Sequence, residues 1–218
     1  MKLISTTLAV AIGLTLSACA SSVDRNGQMR SPMGTANSMS MMNGMDSMHM
    51  EKMMQGWPKA SREAVMFMTN KYGPPAAVSS TMAVWGKTGP WKRTIVYSTE
   101  FKHDFPGPHT DVMQQFIDYK APASMYDELA EYDGSVVLER TTGEMSARCD
   151  KEAANFLALN LADDIVTGKR SVQDARRMYG EQIMAMKASM SAPYTEKLMF
   201  SAKRNTSDPD QTLPMMKK

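Results

Sequence analysis

Three things are scarce in this chain of 218 residues: cysteine, present twice, aromatic side chains, at 7%, and charge of one sign, the formal net charge being only +2. The near balance of charge excludes a protein built around a polyanion. Nucleic-acid binding requires a concentrated basic stripe, and here Lys and Arg interleave with Asp and Glu through the second half. A nucleotide is not expected either. Gly168 and Lys169 end like a phosphate-binding loop, but Asp163 stands where its first glycine belongs and Arg170 where its hydroxyl belongs. With 43% hydrophobic residues the chain still has material for one modest core.

Lys2 precedes an apolar run from Leu3 to Leu16, interrupted by Ser5, Thr6, Thr7 and Gly13. The run falls short of the roughly 20 apolar residues that span a bilayer, and it has the length of a signal-peptide core. Leu16, Ser17, Ala18 and Cys19 then follow, a match that resembles the lipobox of bacterial lipoproteins. The resemblance implies cleavage after Ala18, diacylglyceryl transfer to the Cys19 thiol and acylation of the new amino group. With two or more acyl chains the anchoring is stable. Ala20 after the cysteine implies transport to the outer membrane, facing the periplasm. A lipidated Cys19 also leaves Cys149 without an intrachain partner, so no internal disulfide is expected.

Residues 19–56 are rich in Ser, Asn, Gly and Met and nearly devoid of core-forming side chains, which predicts a flexible tether. Some 35 extended residues would reach roughly 100 Å. Met39, Met41, Met42, Met45, Met48, Met50, Met53 and Met54, with His49 among them, crowd its second half. Thioethers are soft ligands suited to Cu(I), and the run resembles the Met-rich segments of periplasmic copper-handling proteins. The same side chains would also serve as reversible oxidant traps. A low-complexity spacer is the simplest alternative.

From Trp57 the pattern is that of a folded domain, expected to span residues 57–202, with residues 203–218 a mobile tail. A helix carrying Ala64, Val65, Phe67, Met68 and Tyr72 stops at Gly73, Pro74 and Pro75. Strands are predicted at Thr81 to Trp85 and Trp91 to Thr99, with Trp85 and Trp91 expected to pack as a pair beside the turn. A strand at Val112 to Tyr119, a short helix ending at Asp133 and Gly134, and a hairpin over Ser135 to Cys149 follow. Two helices close the domain, Lys151 to Thr167 and Ser171 to about Met190, separated at Gly168, with Ser171 and Asp174 as a cap. This order predicts an α+β fold: a mostly antiparallel sheet of about four to five strands with helices packed on one face. Met184, Met186 and Met190 are expected on a core or contact face. The stretch from Gly89 through Tyr119 to Arg177 resembles a bacterial envelope domain of unassigned function.

Two places could carry chemistry. Residues 103–111, His-Asp-Phe-Pro-Gly-Pro-His-Thr-Asp, read as a loop in which His103 and His109 are restrained by Pro106 and Pro108 for metal binding or proton transfer. Their spacing fits no zinc motif, so a plain surface loop is the competing expectation. Cys149 is a possible reactive thiol, although no nucleophile signature surrounds it and a buried, inert thiol is expected. Asp163 and Asp164, with Asp150 and Glu152, are expected on a solvated acidic face, since adjacent helical residues do not face each other. The expectation is an envelope lipoprotein presenting a non-enzymatic binding domain, with the membrane and an envelope protein as partners. A Cu(I)-binding lipoprotein is the alternative, and an enzyme built on the His103 and His109 loop a weaker one.

Overall fold

The computed structural model describes residues 48–202 and 205–216. Cys19, the run before it and Met39, Met41, Met42 and Met45 lie outside these residues. The compact unit begins at Met48, ahead of the expected Trp57. The reason is packing. Residues 48–53 are helical, Met54 is 8% exposed among Trp57, Val65 and Met68, and Met50 packs beside them. The sequence read this stretch as tether because its apolar side chains are all methionine.

After the helical residues 48–53, the helices are α1 (Lys59–Tyr72), α2 (Tyr126–Tyr132), α3 (Glu152–Val166) and α4 (Val172–Lys187). The strands are β1 (Ala77–Val78), β2 (Met82–Trp85), β3 (Arg93–His103), β4 (His109–Asp118), β5 (Val137–Glu139) and β6 (Glu144–Cys149). They form one antiparallel sheet in the order β1-β2-β3-β4-β6-β5, an α+β fold with six strands where four to five were expected. The added strand is β1, two residues pairing Ala77 with Val84, too short to show any alternation.

One side chain shows how the helices lie. Gln115 on β4 directs its amide at the Met68 sulfur of α1 and at Glu152 of α3, while the Asn155 amide of α3 donates to Gln115 Oε1 at 3.0 Å. Both helices therefore cover the same face of the sheet. β4 is buried along most of its length because β3 and β6 flank it. The core has two parts. Trp85 joins Val65, Met68 and Val96 under α1, whereas Trp91 joins Ile117, Met145 and Leu157 under α3, stacking on Phe156 at 4.7 Å. The two indoles thus serve separate clusters and not a pair. Each buried N–H is satisfied, Trp85 by the Gly73 carbonyl and Trp91 by Glu152.

Local signals end the helices as their residues dictate. Ser171 Oγ accepts from Asp174 N at 3.1 Å, and Gly168 takes φ 72° after α3. Met184 and Met190 are each 67% exposed, so only Met186 of the expected methionine face lines a cavity. The segment expected as a mobile tail makes defined contacts: Thr206 Oγ1 donates to the Gly143 carbonyl at 2.6 Å and Asp208 N to Arg140 O at 3.0 Å. Gly143 must be glycine there, since its φ is 65° and an added Cβ would sit 2.1 Å from the Thr206 carbonyl carbon. No helix among the described residues is long and apolar enough to cross a membrane.

Candidate metal centre

The stretch expected as a loop is mostly strand. β3 runs through His103 and β4 starts at His109, with the two histidines as cross-strand partners, so that only residues 104–108 turn. Apolar alternation fails here because this end of the hairpin carries polar side chains inward. Pairing brings the rings together, their centroids 4.9 Å apart. Asp111, two residues along β4 and 2% exposed, lies between them. Asp104, by contrast, pairs with Lys102 in solvent.

The polar contacts follow a pattern. His109 Nδ1 lies 2.9 Å from the Gly107 carbonyl, which can only accept, so Nδ1 carries the proton and Nε2 faces inward. Nε2 sits 3.1 Å from Asp111 Oδ1, and His103 Nδ1 sits 3.4 Å from Asp111 Oδ2. Neither contact has hydrogen-bond alignment: His103 Nδ1, His109 Nε2 and Asp111 Oδ1 are all buried without a hydrogen-bond partner. On its far side, His103 Nε2 looks toward Asp133 Oδ1 at 3.7 Å, and Asp133 is itself held by the Ser135 N–H and hydroxyl, each at 2.8 Å. Arg148 Nε lies 3.9 Å from Asp111 Oδ2, its guanidinium resting on the Phe101 ring.

Two carboxylates and one guanidinium leave the pocket one negative charge in excess when both imidazoles are neutral. A cation is therefore favoured, either a proton or a metal. The proton solution is visible in His109, whose pKa is raised to about 11 by Asp111 first and by Cys149 second, against the opposing cost of burial. Asp133 is pushed up by burial, with Ser135 and His103 pulling it down. The metal solution is visible in the donors. One nitrogen from each histidine and one oxygen from Asp111 lie within 4.8 Å of one another. Donors about 2.0–2.1 Å from a tetrahedral ion sit roughly 3.4 Å apart, so small side-chain rotations would close the set. The outward nitrogens already face a backbone carbonyl and a carboxylate, the partners that orient metal-binding histidines.

Cys149 ends β6, 6% exposed and free. Burial pushes its thiol pKa up, with the His109 contact pulling the other way, which argues against a nucleophilic thiolate. His109 and Cys149 share the wall of a cavity of about 260 Å³ with Tyr179, Met186 and Lys187. A larger cavity of about 460 Å³ lies between α1 and the start of α3. None of the unpartnered buried polar atoms lies on its wall, whereas the smaller cavity includes His109. The smaller one is the better candidate for chemistry.

The supposed acidic face divides. Asp164 and Glu152 are buried, not solvated: Asp164 accepts from Lys169, Arg170 and Tyr194, and Glu152 from Lys71, Tyr72 and Trp91. Of the tether ligands within the described residues, Met48 and His49 are exposed, whereas Met54 is core. The structure does not bring His49 into the cluster of His103, His109 and Asp111. Sequence reasoning passed over Asp133 and the role of Arg148. Asp133 looked like a helix stop, which it also is, as the residue after α2. No family model, curated protein or solved structure matches the chain.

Proposed function

We propose that this chain is an envelope lipoprotein, anchored through Cys19, whose α+β domain binds one transition-metal ion between His103, His109 and Asp111. The observation that carries the metal site is the set of three buried donor atoms, none with a hydrogen bond, facing one another. Buried polar atoms without partners are costly, and in a native structure they call for an ion or another explanation. Two imidazoles and a carboxylate suit Zn(II) or Cu(II) and would serve Mg(II) or Ca(II) poorly. Asp133 and the Gly107 carbonyl would hold the rings in the ligating tautomer. The lipobox resemblance supports the anchor, and the Met-rich tether would add soft ligands suited to Cu(I), separate from the domain site.

Titration of chelator-treated protein with Zn(II) against a chromophoric competitor tests the domain site. The expected result is one equivalent bound, with affinity falling at least about a hundredfold in His103→Ala/His109→Ala. Equal affinity in the two proteins, or no binding by either, would remove this function.

A further inference from the structure

We infer that Cys149 is the fourth ligand, binding as a thiolate, so that the centre holds its ion through His103, His109, Asp111 and Cys149. This rests on the metal-centre function proposed above and names its ligand set. Strand register brings the sulfur beside the donors, just outside the set of three that lie within 4.8 Å of one another. Cys149 on β6 pairs with Met113 on β4, and Met113 lies two residues from Asp111, so side-chain alternation puts Asp111, Met113 and Cys149 on one face. Cys149 and His109 line the wall of the same cavity.

Asp111 points to a ligand independently of the sulfur, being 2% exposed with Oδ1 unpartnered and directed at the same space. Three donors alone would leave a tetrahedral ion one position short. Cys149 is the thiol on that wall, and its Sγ donates to Asp150 Oδ1 at 3.5 Å. The cavity beside it gives an ion a way in from solvent. On binding, the S–H bond and the Nε2–H bond of the protonated His109 break, sulfur–metal and nitrogen–metal bonds form, and both protons leave to water through that cavity. No electron moves. A set of two nitrogens, one oxygen and one thiolate selects Zn(II) among redox-inert ions, because a thiolate disfavours the harder Mg(II) and Ca(II).

Co(II) reports this ligand directly, since a cobalt–thiolate bond adds a charge-transfer band in the near ultraviolet. The chain carrying Cys19→Ser has Cys149 as its sole thiol. Titrated anaerobically with Co(II), it should bind one equivalent and develop that band. Cys149→Ser should lose the band, and its Zn(II) affinity should fall by at least about tenfold. The band is read with Cys149 in place, so the result does not depend on the folding of that variant. Stoichiometric Co(II) binding without the band overturns the thiolate ligand and leaves the three-donor site standing. Absence of binding overturns both. A band that persists in His103→Ala/His109→Ala would place the metal on sulfur away from this cluster and also overturn the inference.

Discussion

Glu152 at the start of α3 and Asp111 on β4 are both buried carboxylates, 3% and 2% exposed, yet they are treated in opposite ways. Glu152 opens α3 and collects the Trp91 indole and the Tyr72 hydroxyl at 2.7 Å each, the Gln115 amide at 3.4 Å and the Lys71 ammonium. Asp111 meets two imidazoles and a guanidinium at ion-pair distances, and its Oδ1 has no hydrogen bond. A fully satisfied buried network fixes the arrangement of the elements that supply it. Glu152 ties α1, the turn before β3, β4 and α3 at one point in this way. An unsatisfied one carries a cost, and at Asp111 the unsatisfied oxygen faces two imidazole nitrogens, which is the ground for the metal site proposed there.

The comparison breaks most sharply at Glu152. Glu152→Ala leaves a buried indole N–H without a partner and is expected to lower unfolding free energy by about 3–5 kcal/mol in urea titrations. A loss under about 1 kcal/mol would show that Glu152 is no more structural than Asp111. The next largest effect comes from the other side. Zn(II) held at a hundred times its dissociation constant should add about 2.7 kcal/mol to stability, in the parent chain and in Glu152→Ala alike. His103→Ala/His109→Ala should gain none. An increment that disappears in Glu152→Ala would mean that the two regions are not separate.

A third carboxylate sets the lower end of the scale. Glu144 pairs with Arg93 at the start of β6, and Arg93 holds its carboxyl below the usual range, with Lys92 helping and burial opposing. Because the folded pKa is lowered, the stability it contributes is present above the unfolded value of 4.5 and is lost as pH falls through the folded one. Glu144→Gln is expected to cost about 1 kcal/mol near neutral pH. Unfolding measured at falling pH should show this gap close below the usual glutamate range, and a gap independent of pH would detach Glu144 from the ion pair.

Much of the fold was legible because it is written in local periodicity. α1, α3 and α4 follow from spaced apolar residues, the ends of α1 and α3 from Gly73 and Gly168, and the start of α4 from the Ser171 cap. β1 was not legible, since two residues carry no period. The inward ends of β3 and β4 failed for a different reason. Phe101, Lys102, His103, His109 and Asp111 do not alternate as core residues do, and a polar stretch bounded by prolines reads as a loop. Sequence pattern fails where residues are chosen for a site and not for packing. The same limit explains Asp164 and Glu152, whose burial depends on Lys169, Tyr194, Lys71 and Trp91 arriving from other elements.

By itself the sequence determined the helices, the hairpins, the presence of two histidines and an aspartate within nine residues, and a single thiol besides Cys19. Only the tertiary structure decided which of these meet. Pairing set His103 against His109, the register of β4 with β6 put Cys149 on the face of Asp111, and the end of α2 brought Asp133 behind His103. Such meetings depend on strand register and on how helices cross a sheet. Both are settled by packing over the whole domain, because a shift of one residue would turn every donor to the opposite face.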